Sequence, residues 1–148
     1  MSERLKDVVI EGARIFARNF KGEEIPPNNP RGRRNFCVEL PIDLANEMAE
    51  EGWNVKWPGE GAKRTLPFLP VAVSYENYPP KIFKITSHGQ TLLTEDMVAG
   101  LDDDEFANVD VIIRPYSWNV NHNSGVKAYV KSMYVTIVEN QLAQKYGY

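Results

Sequence analysis

The chain has 148 residues, 43% of them hydrophobic and 25% charged, with a formal net charge of −3 and a pI near 5.4. That length suits one domain with a real core, and the acidic balance excludes a generally basic nucleic-acid binder, so any grip on a polyanion has to come from segregated charge. The single Cys37 excludes an internal disulfide and fits a reducing cytoplasm; the polar run from Met1 to Asp7, followed by only Val8 to Ile10, predicts no signal peptide, and no stretch is apolar enough to span a membrane.

Val8 to Phe20 reads as a first strand with Arg14, Phe16, Arg18 and Phe20 on one face and Ala13, Ile15 and Ala17 on the other. Glu11 is out of phase with that pattern, and a bulge at Gly12 would restore it. Lys21 to Gly32 is a loop rich in Gly and Pro that ends in a basic knot, Arg31, Arg33 and Arg34. The knot suits phosphate contact, where arginine brings charge and a flat head, and it equally suits a solvated loop. Asn35 to Leu40 is a second strand. Ile42 to Glu51 is a short helix with Asp43 as N-cap and Gly52 as its stop. Trp53, Val55 and Trp57 share one side and are expected mostly in the core. Phe68 to Tyr75 is a strand whose Pro67 and Pro70 push its start to a sheet edge, and Lys81 to Thr86 is another. Thr94 caps a short helix reaching about Leu101, with Glu95 and Asp96 in its first turn.

Val109 to Trp118 and Val126 to Val138 form the arms of a hairpin. Val109, Val111 and Ile113 share one face with Val126, Ala128 and Val130. The other face alternates cations and rings: Arg114, Tyr116 and Trp118 on one arm, Lys127, Tyr129 and Lys131 on the other. With Asn121 to Ser124 closing the turn, Trp118 lies opposite Lys127, Tyr116 opposite Tyr129, and Arg114 opposite Lys131. Like charges directly opposed destabilise a sheet by roughly a few tenths to 1 kcal/mol, which makes sense where a polyanion covers the face and bases stack on the rings. The alternative is a second core layer with the cations reaching past it to water. Charge is segregated along the chain. Arg114, Lys127 and Lys131 stand in a stretch without acid, while Glu95, Asp96, Asp102, Asp103, Asp104 and Glu105 stand in one without base.

His88 and His122 lack companions at ligand spacing, so neither a metal nor any other cofactor is expected. The run Asp102 to Glu105 lacks calcium-loop spacing and its glycine. No phosphate loop, dinucleotide fingerprint or nucleophile elbow is present, and nothing points to an enzyme.

Several segments together resemble the single-stranded DNA-binding proteins of tailed bacteriophages. They are Ile15 to Phe20, Arg34 to Val38, Gly52 to Lys56, Tyr78 to Phe83, Asn108 to Asp110, Pro115 to Trp118 and Gly125 to Tyr129. The likeness runs from about Val8 to Val138. It implies a mainly β OB-fold, a five-stranded Greek-key barrel with extra hairpin elements and two short helices. Residues 1–148 are then one domain, with 8–138 as core and 139–148 as a polar tail. The implied function is sequence-independent binding of single-stranded DNA in the host cytoplasm during phage replication, recombination or repair. Replication or recombination proteins are the implied partners, and the oligomeric state is left open, a homodimer included. The tail, Asn140 to Tyr148, holds Lys145 and no acid, unlike the acidic tails by which many such proteins recruit partners. On the face analysis, Arg14, Arg18, Arg31, Arg33, Arg34, Arg114, Lys127 and Lys131 neutralise phosphates, and Phe16, Phe20, Tyr116, Trp118 and Tyr129 stack bases. A β-rich capsid or tail protein is the competing reading, since exposed rings also mark protein interfaces.

Overall fold

Alternating apolar residues build one large sheet. The computed structural model describes residues 5–24, 26, 31–63, 65–76 and 78–139; of the expected polar tail only Glu139 is among them, and Lys145 lies outside. The elements run β1 (Val8–Ile10), β2 (Ile15–Asn19), β3 (Arg34–Glu39), α1 (Ile42–Glu50), β4 (Phe68–Val73), β5 (Lys81–Thr86), β6 (Gly89–Leu93), a 3-10 helix (Val98–Asp103), β7 (Phe106–Val120) and β8 (Asn123–Ile137). This is the mainly β architecture with two short helices that the sequence predicts. The strands follow the order β1-β7-β8-β4-β3-β2, and β5 joins β8 while pairing with β6. The ladder path does not close into a ring. Its two ends, β1 and β2, are consecutive in the chain. The link between them touches both sides: Ala13 N donates to Val109 O at 2.7 Å, and Arg14 O accepts from Glu39 N at 2.9 Å.

The core lies beneath the inward faces of these strands. Phe36, Val38, Leu69, Val71, Val111, Ile113, Val126, Ala128, Val130, Met133 and Val135 are all buried. β8 pairs on one edge with β7 and on the other with both parallel strands, β4 and then β5. The β4–β5 connection must therefore loop out and return along that same edge.

Several local expectations are corrected. Val8 to Phe20 is two strands, broken at Gly12 (φ 59), whose N–H donates to Asp110 Oδ1 at 2.9 Å. A second irregularity lies between Phe16 and Asn19, where Ala17 takes a φ of 51°. It inserts one residue and reverses the phase, so the shared face of Arg14, Phe16, Arg18 and Phe20 does not survive it. Phe20 points inward, fully buried and stacked on Phe36 at 5.6 Å. Pro41 rather than Asp43 sits at the N-cap of α1, Asp43 falling in its first turn, while Gly52 supplies the left-handed stop (φ 97) as expected. Trp53 is buried but Trp57 is 49% exposed. Gly89–Leu93 is a further strand, β6, in a stretch the sequence reading left unassigned beyond Gly89, and its Leu93 is buried. The Thr94 hydroxyl donates to Asp96 Oδ1 at 2.6 Å rather than capping, and the helix begins later, at Val98.

The buried position of Phe20 has a measurable consequence. Phe20→Ala should lower stability by about 3–5 kcal/mol, the cost of emptying a core aromatic site, as read from urea denaturation. A loss below about 1 kcal/mol would place the ring at the surface instead.

Candidate nucleic-acid interface

The hairpin arms meet in a register different from the expected one. Asn121 and His122 form a two-residue turn with φ of 50° and 68°, the left-handed pair that matches the twist of the flanking strands; asparagine tolerates it better than most residues. That tight closure shifts the pairing by two residues relative to a turn over Asn121 to Ser124. Tyr116 now faces Lys127, Arg114 faces Tyr129 and Trp118 faces Gly125. Arg114 and Lys131 are not opposed, so the like-charge argument falls. Lys131 is instead an inserted residue: Ile112 pairs with Ser132 and Ile113 with Val130. Its Nζ is 2.8 Å from Asp7 Oδ2.

The outward faces of β3, β4 and β8 form an open groove of roughly 1180 Å³. Its lining includes Cys37, Ala72 and Gly125, small side chains on strand faces, which is why the surface is concave there. Arg33, Arg34 and Tyr75 line it too, as do Trp53, Asn54, Trp118, Lys127 and Tyr129. The Trp118 indole lies on its partner glycine, since a Cβ on Gly125 would sit 2.8 Å from Trp118 Cζ2. A large ring thus rests against a residue with no side chain and stays 39% exposed. The charged residues lining the groove are three cations, Arg33, Arg34 and Lys127, and two acids, Glu76 and Glu95. The Arg34 guanidinium is held from several sides: Nε donates to Phe20 O at 3.1 Å, Nη1 pairs with Glu95 at 3.1 Å, and its carbon lies 5.8 Å from the Tyr75 ring centroid. Burial pushes the Tyr75 phenol above its ordinary pKa, with Arg34 pulling the other way. Among the described residues its hydroxyl has no hydrogen-bond partner.

Beyond Tyr129 the same outer face continues onto β7. Arg114 lies over the Tyr129 ring at 5.3 Å, Lys127 over that ring at 5.2 Å, and Tyr116 meets it edge-on at 6.1 Å.

Of the thirteen expected contacts, the structure therefore brings Arg33, Arg34, Trp118, Lys127 and Tyr129 onto the groove, with Arg114 and Tyr116 adjoining it. Phe16 is half-buried, edge-on to Phe68 at 5.1 Å, and in register with Cys37. Arg31 is exposed but does not line the groove, and Arg14 lines a separate hollow beside Phe106 to Val109. Arg18 is committed elsewhere. It donates to Leu101 O and Asp104 O at 3.2 and 2.8 Å and packs over Phe106 at 4.3 Å, so it clamps the 3-10 helix. Phe20 is removed from the stacking role by burial, and Lys131, exposed and outside the groove lining, pairs with Asp7. Tyr75, Trp53 and Asn54 were not assigned to the site from the sequence: Tyr75 was read as the end of a strand that stops at Val73, and the Trp53 segment was read mostly as core.

The acidic run is also spent on structure. Asp102 accepts from Phe20 N and Lys21 N at 2.9 Å each, Asp103 pairs with Lys21 at 3.2 Å, and Asp104 with Lys84 at 3.1 Å. Among the described residues no group of three His, Cys, Asp or Glu side chains is arranged to hold a metal. No helix among them is long and apolar enough to cross a membrane.

A family model described as "Putative phage ssDNA-binding domain" matches residues 1–148. No curated protein sequence matches the chain. Among solved structures, it is similar to the single-stranded DNA-binding protein from bacteriophage Enc34 in complex with ssDNA, at 10% identity over 90% of this chain and 88% of that one, with a TM-score of 0.58. It is also similar to a C-terminal truncation of the Enc34 protein, at 9% identity over 90% and 87% of the two chains, with a TM-score of 0.56. At such identities the likeness shows the fold, and the expected OB-type class stands.

Two substitutions separate the groove's parts. Glu95→Gln should tighten binding of single-stranded DNA by roughly two- to fivefold at low salt, the worth of one exposed ion pair released from Arg34. Gly125→Ala should displace the Trp118 indole and weaken binding while the fold persists. Fluorescence titration with oligothymidylate reads both; an unchanged affinity in both variants would remove both parts of the groove from the interface.

Proposed function

We propose a groove-centred mode of binding for this chain, which belongs to the phage single-stranded DNA-binding domain family and binds single-stranded DNA in phage replication. In this reading the unpaired strand lies across β3, β4 and β8. Trp118 and Tyr129 stack bases; Arg33, Arg34 and Lys127 neutralise phosphates. Recognition is independent of sequence, because a stacked base offers only its flat face and phosphates are alike along the strand. The observation that carries this is the coincidence of rings and cations on one concave surface of an otherwise acidic protein. Stacking and charge neutralisation need no bond to form or break, so the reading assigns no catalytic step. It places the chain in the host cytoplasm, as one domain that coats open strands during replication, recombination or repair.

Cys37 is the chain's sole cysteine and lines the groove, which gives a direct test. A bulky maleimide on Cys37 should block oligonucleotide binding, and bound oligonucleotide should slow the labelling. Binding should also fall steeply with salt, as expected where counterions are released from several phosphates. Trp118→Ala should cost on the order of 1–3 kcal/mol of binding, while Trp57→Ala, which alters an exposed ring outside the groove, should cost almost nothing. Labelling of Cys37 that is indifferent to DNA, together with equal losses at Trp118 and Trp57, would place the strand elsewhere.

A further inference from the structure

The groove ends at Tyr129, but the aromatic and cationic surface does not. In register, Ala72 of β4 faces Tyr129 of β8, and Tyr129 faces Arg114 of β7. These three residues make one line across the outer face, running from the groove onto the far arm of the hairpin. Arg114 is the hinge of this line: its guanidinium carbon is 5.3 Å from the Tyr129 ring centroid and 5.1 Å from that of Tyr78. Tyr78 belongs to the β4–β5 connection, which leaves the edge of β8 and folds back over it. Tyr78 is 71% exposed and Tyr116 is 53% exposed. Among the described residues Arg114 makes no ion pair with an acid, so its charge is held against rings alone and remains open to a phosphate. Two large exposed rings around such a cation would be a poor use of surface on a protein with no ligand there.

We propose that a long single strand leaves the groove across Tyr129 and continues onto Tyr78, Arg114 and Tyr116, with Tyr78 stacking a base beyond those held in the groove. This rests on the groove reading above and extends it: the groove sets the minimal site, and the Tyr78 patch lengthens the footprint. Arg114 would hold the phosphate at the turn between the two, so the strand bends there rather than running straight off the sheet.

Oligothymidylates of about 4 and about 16 nucleotides, the span of site sizes that an OB fold covers, separate the two claims. Tyr78→Ala should leave the short oligomer's affinity unchanged and weaken the long one roughly tenfold, a typical loss for one stacked base. Tyr78→Phe, which keeps the ring and removes the hydroxyl, should bind both as the parent does. An equal loss for both lengths would show that Tyr78 acts by shaping the groove, and no loss at either length would show that the strand never reaches it; each result overturns the extension. Failure of the parent protein to bind the short oligomer, with Trp118 fluorescence unmoved, would instead strike the groove reading itself.

Discussion

The inserted residue at Lys131 decides which side chains of β8 face outward. Upstream of it the buried positions are Val126, Ala128 and Val130; downstream they are Met133 and Val135. A strand with strict period two cannot bury both sets, and one extra residue reconciles them. Without it, either Lys127 and Tyr129 would turn into the core or Met133 and Val135 would turn out of it. Several apolar side chains, each worth about 1.5–3 kcal/mol when buried, hold the insertion in place. The outward face of the groove is thus enforced by the packing on the inward one.

Concavity comes from what the groove residues lack. Cys37, Ala72 and Gly125 put little volume on the outer face, while Trp118, Tyr129 and Tyr75 rise at its margins. Gly125 goes furthest, letting the indole of its cross-strand partner lie over bare backbone. A ring laid down this way is ordered before any ligand arrives and gives up less freedom on binding than a swinging one. The two-residue turn at Asn121 and His122 sets this pairing, so the hairpin tip, far from the groove's centre, determines what Trp118 rests on.

These dependencies explain what the sequence could and could not reveal. Alternation placed Val109, Val111 and Ile113 inward and Arg114, Tyr116 and Trp118 outward correctly, because β7 is regular across that stretch. It failed at Arg18 and Phe20, where the positive φ at Ala17 reverses the phase; alanine gives no hint of a left-handed residue, whereas Gly12 did. The hairpin register failed because an Asn-His turn is a weaker signal than Asn-Gly, and an error of two residues preserves faces while changing every cross-strand partner. That is why the outward residues were right and the opposition of Arg114 to Lys131 was wrong. Tyr75 and Tyr78 were not assigned to the site for a different reason: both lie in the β4–β5 connection, although the sequence reading ran the strand on to Tyr75, and only the geometry of β8, with two parallel strands on one edge, brings that connection over the outer face.

The charge balance follows the same local logic. A net charge of −3 does not prevent binding to a polyanion, since charges beyond about 10 Å are largely screened at ordinary ionic strength. What matters is the environment within that distance. Asp102, Asp103 and Asp104 are each tied to a backbone N–H or a lysine, which blunts their field. Glu76 and Glu95 are the acids that line the groove, and Glu95 is bound to Arg34. An acid there lowers the positive charge of the groove, yet it also holds Arg34 in place over Tyr75. A groove lined by three cations without such a counter-charge would carry a stronger like-charge repulsion, with only Glu76 left to offset it. Glu95 therefore offsets part of the positive charge of Arg34 in exchange for an arginine that is already positioned.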